Sequence, residues 1–145
     1  MKNFYLKFFD DINDLLNQSD ISSLDKIAKT LISMKKKKNK VIILGNGGSA
    51  AISSHVSVDL TKNAKVRCIN FNEADLLTCF SNDYGYEKWV EKAIEFYADK
   101  NDSLILISAS GESKNMLNAV ISAKKLGVKK IITFTGNKKN NSLSK

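Results

Sequence analysis

Proline is absent from this 145-residue chain and glycine occurs only seven times. A flexible or proline-stiffened linker is therefore excluded, and residues 1–145 read as one domain. Cysteine is limited to Cys68 and Cys79, too few for a disulfide scaffold. No apolar run approaches the ~20 residues of a bilayer crossing, so no membrane partner is expected. Met1 to Phe9 is too short for a signal core, and Asp10 and Asp11 interrupt it. These absences point to a cytoplasmic domain. What is present fits a globular fold: 43% apolar residues, 26% charged, and enough Leu, Ile, Val and Phe to bury a core.

Lysine plus arginine number 23 against 15 acidic residues, a net charge of +8. That excess raises nucleic acid as a partner. The lysines cluster at Lys35, Lys36, Lys37, Lys38 and Lys40, and again at Lys124, Lys125, Lys129, Lys130, Lys138 and Lys139. Both clusters fall where predicted helices end, and the helix dipole favours cations there. Aromatic residues do not alternate with them as a stacking surface requires. Solvated helix ends explain the lysines better than nucleic acid does. A positive field also suits an anionic small substrate.

Phe8, Ile12, Leu15 and Leu16 recur at helical spacing and predict an amphipathic helix over 3–17. A Ser-x-x-Asp start signal from Ser22 to Asp25 predicts a second helix, running to about Met34. Val41 to Leu44 is short, apolar and rich in β-branched residues, the mark of a strand buried on both faces. The pattern then predicts a helix over Ala50 to Leu60, a strand over Val66 to Phe71, and helices over Asn72 to Phe80 and Tyr86 to Tyr97. Strand Ser103 to Ile107 follows, then a helix from Lys114 to Leu126 closed by Gly127, then strand Lys130 to Phe134. Strands alternating with helices predict an α/β fold: a three-layer parallel sheet with helices on both faces, preceded by N-terminal helices over 1–36. Lys138 to Lys145 is polar where a further strand is expected, so the chain reads as lacking a C-terminal strand and helix.

Two loops at strand carboxyl ends carry chemistry, the usual place for ligands in such sheets. Gly45-Asn46-Gly47-Gly48-Ser49 joins a strand to a helix. Its glycines allow close backbone approach, and the helix start offers unpaired N–H groups to an anion. Gly45, Gly47 and Ala50 also satisfy the loose dinucleotide pattern G-x-G-x-x-A. A dinucleotide site needs an acidic residue at the end of the second strand, but that end reads Asn70-Phe71-Asn72. In the second loop, Ser108, Ser110 and Ser113 stand within six residues around Gly111. One serine would cap the helix. Three serines around a glycine favour a neutral cradle for phosphate.

His55, the only histidine, lies four residues before Asp59 on the helix after the first loop. This spacing puts both on one face. They are either an exposed pair worth a few tenths of a kcal/mol, or a cleft pair that shares a metal or divides proton transfer. Ser81-Asn82-Asp83-Tyr84-Gly85-Tyr86 suits a turn before a helix, with Asp83 as a cap.

Taken in order, Gly45 to Ala51, His55, Asn82 to Tyr86 and Ile107 to Ser113 resemble the sugar isomerase (SIS) domain, most closely its phosphoheptose isomerase branch. The resemblance runs from the N-terminal helices to Thr135-Gly136. It implies a flavodoxin-like sheet, a homotetramer with shared active sites, and a phosphorylated sugar as ligand. It also implies interconversion of sedoheptulose 7-phosphate and glycero-manno-heptose 7-phosphate for surface-polysaccharide synthesis. Zinc is the implied cofactor, with His55 and Asp59 as metal ligands and catalytic residues. Asn46, Gly47, Gly48 and Ser49 match the loop that meets sugar and phosphate. Ser108, Ser110 and Ser113 match the phosphate loop, in which Ala109 replaces a usual threonine. Asn82 and Asp83 match substrate-contacting positions, with Asp83 orienting sugar hydroxyls. Asp59 stands where the family carries its catalytic glutamate, with a reach shorter by roughly 1.3–1.5 Å against a hydrogen-bond window of about 2.6–3.2 Å. The family's catalytic histidine lies on a C-terminal helix that this chain does not contain. A non-catalytic phosphosugar-binding adaptor is the alternative the resemblance leaves open.

Overall fold

Four short apolar runs build a parallel sheet, and six helices cover or precede it. The structure is a computed structural model that describes residues 2–136 and 140–145. Asn137, Lys138 and Lys139 of the sequence reading lie outside the described residues. In chain order the elements are α1 (Lys2–Asn17), α2 (Ile21–Lys37), β1 (Val41–Gly45), α3 (Gly48–Lys62), β2 (Cys68–Ile69) and α4 (Ala74–Tyr84). There follow α5 (Trp89–Tyr97), β3 (Ser103–Ile107), α6 (Lys114–Lys125), β4 (Lys130–Phe134) and a 3-10 turn at Ser142–Ser144.

The strand order is β2-β1-β3-β4, with every pairing parallel. Alternate side chains along each strand feed two cores. Ile42, Leu44, Leu104 and Leu106 pack with Trp89, Val90 and Ile94 of α5 and with Met116, Ala119 and Ala123 of α6. Val41, Ile43 and Ile105 face the other way, onto Met34 and Leu31 of α2 and Val56 and Leu60 of α3. Both faces are therefore apolar, which is why the strands read as continuous hydrophobic runs. From β1 the chain steps outward to β2, then crosses back through α4 and α5 to β3 on β1's other side. The order of growth reverses between β1 and β3, and the crevice above that point is where this fold binds ligands.

Several boundaries differ from the sequence reading: α3 extends to Gly48–Lys62 beyond Ala50 to Leu60, α5 starts at Trp89 and not Tyr86, and three others shift as follows. The second strand is Cys68–Ile69 rather than Val66 to Phe71. Only Val41↔Cys68 and Ile42↔Ile69 pair, and beyond them asparagine side chains tie the chain to α3. Asn70 Nδ2 donates to Ser57 Oγ at 2.8 Å, and Asn72 Nδ2 donates to the Ala50 carbonyl at 2.9 Å. The cap of α2 is Asp20 rather than Ser22. Its carboxylate accepts the Ser22 and Ser23 N–H groups at 2.9 and 3.2 Å. The Ser23 and Ser22 hydroxyls also donate to it, and together these bonds hold its pKa at about 2. The next helix begins at Ala74 and runs on to Tyr84, not Phe80.

The opposite end of the sheet is pinned by a buried carboxylate. Asp102, 2% exposed, accepts the backbone N–H groups of Lys40 and Asp99, each at 2.8 Å, and the Lys40 ammonium at 2.9 Å. Burial alone would lower the Lys40 pKa. Hydrogen bonds to Asp99 and Asp102 outweigh it and hold the pKa above the ordinary value of 10.5. Asp102→Ala leaves two backbone donors unpaired and takes one of the two carboxylate partners from Lys40. The expected cost is on the order of 3 kcal/mol, read from urea denaturation. Lys40 holds its proton more tightly when folded, so its contribution is complete below pH 10.5 and is lost as pH rises through the higher folded value. An alkaline melting series should show that loss in the parent and a smaller one in Asp102→Ala, where Asp99 remains as the partner of Lys40.

Candidate functional site

At the end of β1, a Cβ on Gly45 would lie 2.7 Å from the Ser49 backbone, so only glycine lets the first turn of α3 sit so close to the strand. Gly47 follows at φ +54°, a left-handed conformation, and no side chain caps the start of α3. This leaves the helix start open toward the crevice.

The serine loop leaves β3 beside it. Ser108 Oγ accepts the Gly111 N–H at 3.2 Å and lies 3.3 Å from Ser113 Oγ. Ser110 Oγ accepts the Glu112 N–H at 3.2 Å. Ser113 occupies the capping position of α6, yet its side chain makes no capping bond. The simple capping role therefore does not account for it, and its hydroxyl stays with the loop. A second segment braces the loop from outside. The Leu143 N–H donates to the Gly111 carbonyl at 3.1 Å. The Ser142 N–H and hydroxyl donate to the Glu112 carboxylate at 2.9 and 2.6 Å. Gly111 has φ +68°, and a Cβ there would collide with the buried Asn141 side chain.

Between the loops lies a cleft of about 270 Å³ lined by Asn46, Ser49, Ile107, Ser108, Ala109, Ser110 and Ser113. A larger hollow of about 410 Å³, beside α6, β4 and Leu143, has Ser142, Ser144, Lys124 and Lys145 in its lining but no glycine loop. Chemistry rather than size selects the cleft. Asn46 is fixed at its edge by two residues the sequence reading did not assign. Asn46 and Asn115 exchange hydrogen bonds at 3.0 and 2.9 Å, and the Tyr86 hydroxyl donates to Asn46 Oδ1 at 3.3 Å. No periodicity ties positions so far apart in sequence.

Two expected groups stand away from the cleft. Asn82 and Asp83 are in the last turn of α4, not in a turn before a helix, and Asp83 caps nothing. They are exposed and bond to each other at 3.0 Å. Gly85, at φ +86°, ends that helix, and Tyr86 is the residue of the motif that reaches the cleft edge. His55 Nε2 and Asp59 Oδ2 are 3.4 Å apart, with side chains 81% and 53% exposed. They share a helix face as expected, but they do not line the serine cleft. They lie roughly 10 and 16 Å along α3 from Gly48. Their neighbours on the inward face, Ser53 and Ser57, are the buried ones. Among the described residues no third His, Cys, Asp or Glu joins the pair. Two donors do not complete a four-coordinate zinc site, so the pair alone does not fit the ion. At the end of β2, Asn70 and Asn72 turn inward to α3, which leaves a dinucleotide ribose without its carboxylate.

The family model of the SIS domain matches residues 5–136. The chain belongs to the SIS domain family. Among curated relatives, the phosphoheptose isomerase of Aliarcobacter butzleri is 38% identical over 114 residues, covering 74% of this chain and 60% of the relative. That of Helicobacter pylori strain HPAG1 is 35% identical over 138 residues, covering 81% and 72%. The chain thus spans about three fifths of the first relative's length and somewhat more of the second's. A solved phosphoheptose isomerase from Francisella tularensis superposes with a TM-score of 0.87 at 25% identity, covering 97% of this chain and 76% of the other. One from Neisseria gonorrhoeae has the same fold, with a TM-score of 0.84 at 24% identity over 94% of this chain and 74% of the other. The three-layer parallel architecture is therefore that of the SIS fold.

Because Gly111 is both left-handed and in contact with Asn141, Gly111→Ala should lose about 2 kcal/mol or more in urea denaturation. Combining it with Asn141→Gly, which removes the colliding side chain, should cost less than the sum of the two single changes.

Proposed function

We propose that this chain is a phosphosugar isomerase that interconverts sedoheptulose 7-phosphate and glycero-manno-heptose 7-phosphate, for heptose supply to surface polysaccharide. The observation that carries the reading is the cleft: three serine hydroxyls around a left-handed glycine, facing the uncapped start of a helix. Such a site suits a phosphate, and the named activity of the relatives supplies the sugar.

In this reading Ser108, Ser110 and Ser113 anchor the phosphate, so that binding energy remote from the reaction positions C1 and C2. Asp59 is the base. From the ketose it takes a proton from C1, and the released electron pair forms the C1–C2 double bond. The C2 carbonyl oxygen gains a proton, giving the enediol. Return of a proton to C2, with loss of the O1 proton, yields the aldose, and no oxidant is needed. His55 polarises the reacting oxygen, and Asn82 and Asp83 order the sugar hydroxyls. Zinc, where bound, would supply a Lewis acid, and His55 and Asp59 are its proposed holders together with donors beyond the described residues. We place the protein in the cytoplasm. Among the described residues no helix is long and apolar enough to cross a membrane.

His55 and Asp59 lie apart from the cleft of their own chain, so the reading also requires assembly. We propose a homo-oligomer, a homotetramer in the simplest form. Supporting it, α1 buries no residue, and its Phe4 and Leu15 are each 69% exposed. An apolar stripe of this kind needs a covering surface. Light scattering should give a mass well above the 16.1 kDa monomer. A stable monomer would sink the assembly.

A second reading, a non-catalytic phosphosugar-binding adaptor, draws on Asp59 standing in place of glutamate. Both readings require that sedoheptulose 7-phosphate raise the melting temperature and that Ser110→Ala with Ser113→Ala abolish the rise. Equal stabilisation by unphosphorylated sedoheptulose would remove the phosphate anchor. Turnover separates the two. Under the isomerase reading Asp59→Asn lowers the rate by about 10²-fold or more with binding kept, and Asp59→Glu keeps or raises it. Binding without turnover in parent and Asp59→Glu alike, with zinc added, would leave the adaptor.

A further inference from the structure

Asn115 is 3% exposed on α6, where a leucine of similar size would pack without polar cost. Among the described residues its side chain bonds only to Asn46, and that pairing is reciprocal. An asparagine amide has two N–H donors and one oxygen with two lone pairs. The Asn46 oxygen accepts from Asn115 at 2.9 Å and from the Tyr86 hydroxyl at 3.3 Å, so both lone pairs are engaged. One Asn46 N–H goes to Asn115 at 3.0 Å. A single N–H remains, on a residue that lines the cleft between Ser49 and the serine loop.

We propose that Asn115 is a positioning residue which, with Tyr86, holds Asn46 as a one-way hydrogen-bond donor to an oxygen of the bound sugar phosphate. The proposal rests on the phosphosugar reading and adds the parts that orient its ligand. A lone flip of Asn46 would set N–H against N–H and oxygen against oxygen, so the two amides turn only together. A ligand oxygen at the free edge selects the N–H-outward state, and the Tyr86 hydroxyl then donates to the oxygen behind it. The device joins three elements. Asn46 follows β1, Tyr86 follows α4, and Asn115 lies in the first turn of α6. Its effect on the ligand is indirect, because Asn115 does not itself line the cleft.

The test is a double-variant cycle read by calorimetric binding of sedoheptulose 7-phosphate, with Asn46→Ala, Asn115→Leu and the two combined. Each single change should weaken binding about tenfold, the effect of one hydrogen bond to a charged or polar ligand. The combination should weaken it no further than the worse single change, because both remove the same donor. Tyr86→Phe deletes only the hydroxyl of a half-exposed residue, so folding is not at stake, and about threefold weakening is expected. In amide NMR spectra, the Asn46 side-chain protons, identified by their loss in Asn46→Ala, should lie away from free-amide positions in the parent and move toward them in Asn115→Leu, two signals remaining in both because the amide C–N bond does not rotate freely. Parent-like affinity in both Asn115→Leu and Tyr86→Phe, or losses that multiply in the combined variant, would overturn the proposal while leaving the phosphosugar reading intact. Failure of the parent to bind sedoheptulose 7-phosphate would overturn both.

Discussion

β1 and β3 pair in parallel from Val41↔Ser103 to Gly45↔Ile107, so both strands end at the same level. The chain reverses its direction of growth between them, the point at which such sheets open a crevice at the carboxyl ends. Every feature of the cleft inherits this constraint. The glycine loop starts at Gly45, the last paired residue of β1, and the serine loop at Ser108, one residue past the last paired residue of β3. Asn46 and Asn115 meet across 69 positions of sequence because each follows one of these strands. A one-residue slip of the register would move each side chain to the opposite core and pull the two loops out of line.

The cleft is also where local rules are set aside. Gly47, Gly85 and Gly111 hold positive φ, α3 starts without a side-chain cap, and Ser113 takes a capping position without capping. Left-handed residues also occur elsewhere, at Lys38, Lys65, Asn101 and Gly127, and α4 and α5 likewise start without a side-chain cap. Asp20 caps α2 with two backbone bonds, and Lys35 to Lys37 close it where the dipole favours cations. At the cleft such departures persist because the surrounding fold supports them. Here the support is visible: the Asn141–Ser144 segment holds the serine loop from outside, and Leu143 anchors that segment in the main core.

The two cores differ in how fully they are covered. The α5–α6 side is closed by Trp89, Val90, Ile94 and Met116, none of them solvent-exposed. On the α2–α3 side an apolar hollow of about 330 Å³ remains, lined by residues such as Leu31, Ile52, Val56 and Phe134. Ile52 and Phe134 are 54% and 42% exposed, and α1 stands off the core with its aromatic stripe outward. The outward faces of α1 and α3, which carry the apolar stripe and the His55–Asp59 pair, are the parts of this fold that a single chain leaves unused. That asymmetry is why the proposed assembly and the proposed catalytic pair belong together.

Much of the fold was legible in the residues alone. Ser103–Ile107 is a strand at the predicted bounds, because buried parallel strands are short and apolar, and Lys130–Phe134, a half-buried edge strand, also keeps its predicted bounds. The glycine and serine loops were legible because left-handed turns and hydroxyl clusters are local chemistry. What required tertiary structure was every relation between distant segments. Asn70 and Asn72 shortened β2 by bonding to α3, which a propensity for strand cannot reveal. Spacing put His55 and Asp59 on one helix face, but only packing decided that this face points outward, since Ser53 and Ser57 take the buried side. Asn115 and Tyr86 gave no sequence signal as partners of Asn46, because hydrogen bonds between side chains on separate elements obey no periodicity. Sequence thus determined the elements and the chemistry each loop offers. Tertiary structure decided which groups converge, because convergence depends on strand order and on which helix face the core buries.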